Sequence, residues 1–336
     1  MKRDPTRPCP PNRLRQLRAF CHAAQTGSIS RAAERLCVSQ PSVSQLIKGL
    51  EQDLGVPLFE RRGPRIQITE PGQVFLETAL PLIEAMDNLP AVFQERMGEL
   101  GAGSLDIAAG ESTILYLLPE YVKRFTDRYP QVALHLHNVT GRDGLALLRS
   151  GEVDFAVGSM IDVPDDIAYL PIFSYDPVLI TAPDHPLAGR SDVSLAEIAE
   201  YGLVLPPRHL STWRMVDLVF RKHGLDYHVV LEAGGWEVIK RFVELGLGVS
   251  IVTSICLTDR DRVARVPLDA YFPTRTYGLV IRRRKHLSPQ AQHFLHMLDP
   301  QLERRLDDAA ASPRLPGRRR SAADSTDLLG HDRSLP

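Results

Sequence analysis

The polar side chains between residues 40 and 48 are of the types that contact bases and phosphates in DNA. Glutamine can pair bidentately with adenine, and serine can contact either a base or a phosphate oxygen. This stretch contains no aspartate or glutamate that would repel a polyanion. The sequence therefore predicts DNA contacts from Gln40, Ser42, Ser44, Gln45 and Lys48.

Three arginines, Arg61, Arg62 and Arg65, surround Gly63-Pro64. Guanidinium groups in this arrangement suit backbone phosphates or a narrow minor groove. Residues 1–70 hold 12 Lys/Arg and 6 Asp/Glu, whereas the whole chain has a net charge of −1. The first 70 residues are thus basic and the rest of the chain is acidic. Only the first module is therefore expected to bind a polyanion. The alternative for the first module is a solvated basic surface.

A second set of hydroxyl side chains follows predicted strands or opens predicted helices further along the chain. Helix N-termini offer free backbone N–H groups and a positive dipole end, and hydroxyls add directional donors. These positions predict a site for a small anionic effector between two α/β lobes. The alternative at each position is a helix cap without a ligand. The candidates are Ser112, Thr113, Thr140, Ser211 and Thr212.

The residues predicted to contact DNA lie in a compact unit at residues 13–69, and the elements of this unit must position them. Helical spacing predicts three short helices, with a tight turn between the second and third and a hairpin after them. This order predicts a winged helix-turn-helix whose third helix lies in the major groove. A long amphipathic helix follows at 70–97, and its apolar stripe favours pairing with a second copy of the chain. Packing on its own chain is the alternative.

The second set lies where short strands alternate with helices, over residues 104–305. This alternation predicts βα units, mainly parallel sheets and two lobes, with crossovers near residues 182 and 274. Residues 306–336 are rich in Pro, Arg and Asp, and are predicted to be disordered.

Several classes of protein are not expected. No apolar run approaches the roughly 20 residues of a membrane span, and the first residues lack the apolar stretch of an export signal. The four cysteines form no CxxC pair, which fits a reducing cytoplasm. His135 and His137 alternate on one strand but have no nearby Cys or acidic companions in sequence, so surface histidines are favoured over a metal site. No phosphate-binding loop, HExxH or nucleophile elbow appears, so neither an enzyme nor a cofactor is predicted.

The residues of the first module closely resemble the LysR-type transcriptional regulators. The resemblance extends into the second module and covers roughly residues 13–300. In the first module it rests on Phe20, Gly27-Ser28-Ile29-Ser30, Ala32-Ala33, Leu36, Val38-Ser39-Gln40-Pro41-Ser42-Val43-Ser44, Ile47, Leu50-Glu51, Leu54-Gly55, Leu58-Phe59-Glu60-Arg61, Thr69 and Gly72. In the second it rests on Leu118-Pro119, Phe125, Tyr129-Pro130, Gly151-Glu152-Val153-Asp154-Phe155-Ala156 and Gly246-Leu247-Gly248-Val249.

This resemblance implies a cytoplasmic transcription factor with a dimerising linker helix and a two-lobed effector domain of periplasmic-binding-protein type. It implies promoter DNA, a small effector and further copies of the chain as partners, as a homodimer or a dimer of dimers. Gln40, Pro41, Ser44 and Gln45 match the family's usual DNA-contacting positions, and Ser30 and Arg31 complete the predicted DNA-binding set. Two residues depart from the pattern: Gln45 stands where arginine is common, and Pro71 where alanine is usual.

Two other functions compete with a ligand-responsive regulator. A solute-binding protein would share the second module, but it would need an export signal and would leave the basic module without a role. A small-molecule enzyme would need a catalytic constellation. Parts of the second module resemble the sulfur-assimilation branch of the family, which does not select a ligand.

Overall fold

The computed structural model describes residues 12–62, 65–97, 100, 102–139 and 141–311. The helices are α1 (Arg13–Thr26), α2 (Ile29–Arg35), α3 (Gln40–Leu54), α4 (Glu70–Arg96), α5 (Pro119–Arg128), α6 (Gly141–Ser150), α7 (Leu195–Ala199), α8 (Ser211–Lys222), α9 (Trp236–Glu244), α10 (Pro289–Leu298) and α11 (Leu302–Ala311). The strands are β1 (Phe59–Arg62), β2 (Arg65–Ile68), β3 (Gly103–Ala109), β4 (Val132–Asn138), β5 (Phe155–Gly158), β6 (Ile167–Tyr175), β7 (Pro177–Thr181), β8 (Leu203–Leu205), β9 (Val229–Glu232), β10 (Ser250–Thr253), β11 (Ala264–Pro267) and β12 (Arg275–Arg282).

The first three helices and the β1–β2 hairpin form the predicted winged helix-turn-helix. Small buried residues, Ala19 and Ala23 of α1 and Ala32 of α2, let the helices approach closely around Val43 and Ile47. The helix α1 ends at Gly27, whose φ of +62° is costly for residues with a side chain. The hairpin strands pair antiparallel.

The linker helix α4 begins against this domain. The Thr69 hydroxyl accepts a hydrogen bond from the Gly72 backbone N–H at 3.0 Å, and Pro71 occupies the first turn, where a missing N–H does no harm. A side chain at position 72 would place its Cβ 2.3 Å from the Leu58 carbonyl oxygen, so this approach requires glycine. Further along α4, Ala79 and Ile83 pack into the core of the first domain.

The opposite face of α4 is apolar and uncovered. Leu82, Met86, Leu89, Phe93 and Met97 follow one another at spacings of three or four residues and are between 48% and 71% exposed. Residues at this spacing lie along one side of a helix.

The rest of the chain folds into two α/β lobes, and the predicted α/β class is confirmed. Lobe I contains a five-stranded sheet of order β4-β3-β5-β12-β6, with α5, α6, α10 and α11. Its core includes Phe125, Phe155 and Phe294, all fully buried. Lobe II contains the sheets β10-β7-β11 and β8-β9, with α7, α8 and α9 packed around a core that includes Phe220.

The first crossing between the lobes lies at Asp176, not near residue 182 as predicted. The strand β6 belongs to lobe I and β7 to lobe II, and Asp176 lies between them. The return crossing lies between β11 and β12. The Asp176 carboxylate accepts a hydrogen bond from the Thr274 hydroxyl at 2.8 Å, so the two crossing segments contact each other.

The strand β6 contains Pro171, which lacks a donor for a central ladder, so the sequence pattern does not indicate a central strand there. In the structure β6 is an edge strand, and Pro171 lies at a register shift opposite Gly278. The expectation of mainly parallel sheets is also wrong. The strand β3 pairs in parallel with β4 and β5, and β8 with β9, whereas β7 and β12 pair antiparallel with both of their neighbours.

The end of lobe I also differs from the prediction. Helix α11 continues to Ala311, so residues 306–311 are helical rather than part of a disordered tail. Leu302 is fully buried in the core of lobe I, and Arg305 donates a hydrogen bond to the Pro171 carbonyl at 2.7 Å. These contacts hold α11 against β6. The remainder of the predicted tail, residues 312–336, lies outside the described residues.

Candidate functional site

The exposed face of α3 carries the predicted base-contacting residues. Ser39 caps the helix by accepting a hydrogen bond from the Ser42 N–H, and Val43, Ile47 and Leu50 turn toward the core. The periodicity of the helix therefore directs the polar positions away from the core. Gln40, Pro41, Gln45 and Lys48 are exposed, and Ser42 and Ser44 are partly exposed.

Helix α2 lies beside the start of α3. The Ser30 hydroxyl donates a hydrogen bond to Gln40 Oε1 at 3.3 Å, and both side chains are exposed. Arg31 is exposed as well. The first turn of α3 contains no acidic residue, so the positive end of its dipole is available to a phosphate. Ser30 and Arg31 thus adjoin the polar face of α3.

The hairpin carries the predicted wing arginines. The backbone pairs Arg61 with Ile66 and Arg62 with Arg65, which places Arg62 and Arg65 opposite each other at the end of the hairpin. The side chains of these three arginines and the turn at Gly63-Pro64 lie outside the described part of the structure.

The two lobes meet through a partly buried network around Arg275. This residue begins β12 in lobe I, and its guanidinium donates to the Thr212 hydroxyl at 2.9 Å and the Ser211 hydroxyl at 2.8 Å in lobe II. It also donates to the Ser159 hydroxyl in lobe I at 3.4 Å. Ser211 and Thr212 open α8. A cation therefore lies at the positive end of a helix, where the dipole by itself favours an anion.

The second pair of predicted residues lies on the lobe I side of this network. Thr113 is 1% exposed and begins a π-helical turn, Thr113–Leu117, which follows β3 after a short connection. Ser112 makes no cap hydrogen bond, and its side chain lies close to that of Tyr277. Tyr277 lies two residues after Arg275 on the same strand, and its ring centroid is 5.9 Å from the guanidinium carbon. Burial raises the pKa of the Tyr277 hydroxyl.

The structure thus places Ser112 and Tyr277 on the lobe I side of Arg275, which bonds to Ser211 and Thr212 in lobe II. Sequence reasoning missed Tyr277 and Arg275, although both follow the predicted return crossing. Thr140 lies outside the described residues. A cavity of about 20 Å³ borders Thr212 and Arg275, enough for about one water molecule.

A second contact between the lobes involves Lys240 of α9, which is 4% exposed. Its ammonium lies 2.8 Å from carboxylate oxygens of Glu237 and Asp261 and donates to the Cys256 carbonyl at 2.9 Å. The Tyr116 hydroxyl of lobe I donates a hydrogen bond to the Glu237 carboxylate. Burial acts to raise the pKa of Asp261, but hydrogen bonds, chiefly from Lys240, hold it below its usual value.

The paired histidines lie elsewhere, on β4. His137 Nε2 is 2.8 Å and His135 Nδ1 3.3 Å from the same carboxylate oxygen of Asp106 on β3. Among the described residues, no group of three or more His, Cys, Asp or Glu is placed to hold a metal ion.

Comparison with known proteins matches both parts of the chain. The family described as "Bacterial regulatory helix-turn-helix protein, lysR family" matches residues 14–73, and "LysR substrate binding domain" matches residues 98–303. The chain belongs to the LysR family. It is therefore a LysR-type transcriptional regulator, with a DNA-binding helix-turn-helix domain and a domain for a small effector.

Three similar proteins illustrate how much of the LysR chain is shared. The HTH-type transcriptional regulator CysB of Burkholderia cenocepacia is 30% identical over 85% of this chain and 92% of its own length. The RuBisCO operon transcriptional regulator of Allochromatium vinosum is 32% identical over 84% of this chain and 93% of its own. The structure of a full-length OxyR variant from Pseudomonas aeruginosa shares the fold, with a TM-score of 0.61 and 24% identity over 85% of this chain and 93% of that chain.

The family decides between the functions left open by the sequence. LysR-type proteins are regulators and not enzymes, and a solute-binding protein would lack the helix-turn-helix that matches here. No helix among the described residues is both long and apolar enough to span a membrane.

Proposed function

We propose that this LysR-type regulator responds to a small anion bound between its two lobes. The observation that carries the proposal is Arg275, a lobe I residue whose guanidinium is held by the hydroxyls that open α8 in lobe II. A bound carboxylate or other oxyanion would accept hydrogen bonds from this guanidinium and from the nearby hydroxyls. Charge-assisted bonds of this kind are about twice as strong as neutral ones.

Entry of the anion requires a change at the contact between the lobes. The cavity of about 20 Å³ beside Thr212 is too small for a carboxylate while Arg275 occupies the start of α8. Binding would therefore replace the hydrogen bonds from the Arg275 guanidinium to Ser211 and Thr212 by bonds to the ligand. The two lobes would then move relative to each other. A ligand shifts the equilibrium between two arrangements of the lobes only if it binds one of them more tightly. A tenfold shift needs a difference in binding free energy of about 1.4 kcal/mol.

On the DNA side, we propose that Gln40, Pro41, Ser42, Ser44, Gln45 and Lys48 enter the major groove, with Ser30 and Arg31 beside them. Arg61, Arg62 and Arg65 would contact the backbone or the minor groove from the hairpin. The exposed polar face of α3 supports the first assignment, and the position of the hairpin strands supports the second.

Self-association is the third part of the proposal. The uncovered stripe of α4, defined by Leu82, Met86, Leu89, Phe93 and Met97, is an apolar patch that pairing with a second copy would bury. A homodimer through α4, assembled further into a dimer of dimers, would present paired helix-turn-helix domains to a promoter. We place this assembly in the cytoplasm, where promoter DNA is accessible.

Calorimetry on the full chain tests the effector site, with acetate, sulfate and inorganic phosphate as probes at constant ionic strength. We expect at least one probe to bind, and Arg275→Gln to weaken its binding by about tenfold or more. Thr113→Val retains the shape of threonine and removes one hydroxyl, so a smaller loss is expected, with promoter binding retained. Lys222→Ala, at the exposed end of α8, is the matched control. Full affinity for every bound probe in both Arg275→Gln and Thr113→Val would place the ligand elsewhere.

A further inference from the structure

The cleft between the lobes is bordered by helices that follow parallel strands. In lobe II, α8 follows β8 and α9 follows β9, and these two strands pair in parallel. The carboxyl ends of parallel strands lie at the same edge of a sheet, so both helices begin on one side of lobe II. Both contact lobe I through their first residues, α8 through Ser211 and Thr212 and α9 through Glu237. Lobe II is therefore attached to lobe I at two separate helix ends.

Tyr116 of lobe I makes the contact at α9. It lies in the π-helical turn Thr113–Leu117, an irregularity of a kind that is frequent at functional sites. Its hydroxyl donates a hydrogen bond to the Glu237 carboxylate, and its ring centroid is 5.1 Å from Lys240 Nζ, within the range of a cation–π interaction. Lys240 is 4% exposed, and its ammonium is 2.8 Å from Glu237. We refer to Tyr116, Glu237 and Lys240 as the α9 contact.

The hydroxyl of Tyr116 is the donor in the α9 contact at neutral pH. Burial, together with the hydrogen bond to Glu237, raises the pKa of Tyr116, so the phenol remains protonated. A hydrogen bond to a carboxylate is stronger than one between neutral groups. The Glu237 side chain is 58% exposed, however, and solvent weakens the bond. The hydroxyl is therefore expected to shift an equilibrium between arrangements of the lobes by a few-fold.

The residues beside Glu237 show how closely α9 approaches lobe I. Trp236 packs against the hydrophobic cores of both lobes. A Cβ at Gly235, the residue before α9, would lie 3.0 Å from a carboxylate oxygen of Glu111 in lobe I, and the φ of Gly235 is +88°. Both features favour glycine at this position. The start of α9 is thus in direct contact with lobe I, and the environment of Trp236 depends on that contact.

A movement of α8 away from lobe I must also move α9. Helix α8 shares a core with β8 through Phe220, and α9 packs on the same strand through Ile239. The two helices therefore belong to one packed lobe. The anion proposed above can enter beside Thr212 only if the cavity of about 20 Å³ enlarges. The same movement would separate Glu237 from Tyr116.

We propose that the α9 contact holds the two lobes in the arrangement of this structure and thereby opposes binding of the anion. The inference rests on the anion site proposed above, and it assigns a role to residues that act through the position of the lobes. The apparent affinity for a ligand is reduced when only a fraction of the protein has the arrangement that binds it. Loss of the α9 contact should therefore tighten binding, whereas loss of a residue that touches the anion weakens it.

Tyr116→Phe tests the proposal, because phenylalanine retains the ring and removes only the hydroxyl. In calorimetric titrations of the full chain with acetate, sulfate and inorganic phosphate, the variant should bind the best probe about three- to fivefold more tightly than the wild type. Tyr121→Phe is the matched control, because it removes the same group from a lobe I tyrosine whose ring contacts Phe173 of its own lobe. Unchanged or weaker binding by Tyr116→Phe, or an equal gain in Tyr121→Phe, would overturn the proposal.

Variants of Glu237 test whether the hydrogen bond itself is responsible. Glu237→Ala removes the acceptor and should tighten binding as Tyr116→Phe does, whereas Glu237→Gln retains an acceptor and should have a smaller effect. Because both substitutions remove one shared bond, the double variant Tyr116→Phe/Glu237→Ala should gain little over either single variant. Full addition of the two gains would contradict a role for this bond.

Tryptophan fluorescence supplies a measurement that needs no ligand. Trp213 is 8% exposed in the core of lobe II, whereas Trp236 lies between the lobes, so a change in quenching by acrylamide upon lobe movement reports on Trp236. Tyr116→Phe should increase quenching, and Tyr121→Phe should not. If no probe binds to any variant, the anion proposal fails, and unchanged quenching in Tyr116→Phe would refute the role of the α9 contact separately. If Arg275→Gln weakens a probe but Tyr116→Phe changes neither affinity nor quenching, only the present inference fails.

Discussion

Replacing Lys240 by methionine is expected to destabilise the effector domain by about 3 kcal/mol at neutral pH. Methionine retains most of the length of the side chain but removes the ammonium that contacts Asp261, Glu237 and the Cys256 carbonyl. Breaking a buried ion pair by removing one partner costs about 3–5 kcal/mol. The lower end applies because Asp261 still accepts hydrogen bonds from the backbone N–H and hydroxyl of Thr258.

The loss should depend on pH with a definite sign. In the wild type the pKa of Asp261 lies below its usual value, so this group stabilises the fold above its unfolded pKa, and that stability is lost as pH falls through the folded pKa. Without Lys240, its hydrogen bond and its charge no longer lower the pKa of Asp261, so this pKa rises relative to the wild type and the ionised group stabilises the variant less at neutral pH. The difference in free energy of unfolding should therefore be larger at pH 7.5 than at pH 4.5.

Urea unfolding followed by tryptophan fluorescence measures this difference in the effector domain. Both tryptophans, Trp213 and Trp236, lie in lobe II. Glu237→Gln is the control, because the Glu237 side chain is 58% exposed and glutamine can still accept from Tyr116; it should cost less than about 1 kcal/mol. A Lys240→Met protein within about 1 kcal/mol of the wild type at pH 7.5, or an equal loss at both pH values, would refute this account of the network.

Two further predictions concern DNA binding and assembly. Gln40→Ala should relax sequence preference, at a loss of about 1–3 kcal/mol in the free energy of DNA binding. Arg61→Ala should weaken binding to all DNA sequences alike and reduce the slope of log affinity against log salt concentration by about one. Gel shifts at several salt concentrations measure both effects, and an unchanged slope in Arg61→Ala would exclude that wing contact. Phe93→Glu places a charge in the apolar stripe of α4 and should shift sedimentation toward the monomer at micromolar concentration. The exposed, polar position Gln73→Glu on the same helix is the control, and an unaltered assembly in Phe93→Glu would remove the stripe from the interface.

The first domain was predictable from sequence because local chemistry determines most of it. Ser39 caps α3 as its hydroxyl predicts, Gly27 ends α1, and the apolar spacing of α3 separates its buried and exposed faces. Short helices and a hairpin close in sequence leave few alternative arrangements.

The proposed effector site was only partly predictable, because Arg275, on which the proposal rests, contacts residues that are far away in sequence. Ser211 and Thr212 were found as hydroxyls opening a helix, but Arg275 is 63 and 64 residues away from them and carries no local pattern. The first crossing was predicted near residue 182 rather than at Asp176 for a related reason. Pro171 interrupts the strand pattern of β6, the strand of lobe I that directly precedes the crossing. Pairing in a sheet depends on partners far away in sequence, and periodicity alone does not reveal them.

The strand β12 joins two sites that are far apart. Arg275 at its first residue contacts the hydroxyls of α8, and Arg282 at its last residue contacts Glu84 of the linker helix. Eight residues of strand span about 24 Å, and β12 is hydrogen-bonded on both sides, to β5 and β6. Such a strand moves as a rigid element. A tilt of about 5° at the cleft displaces its far end by about 2 Å, which is enough to break a hydrogen bond there. A movement at the cleft would therefore be transmitted through β12 to the linker helix, which carries the DNA-binding domain.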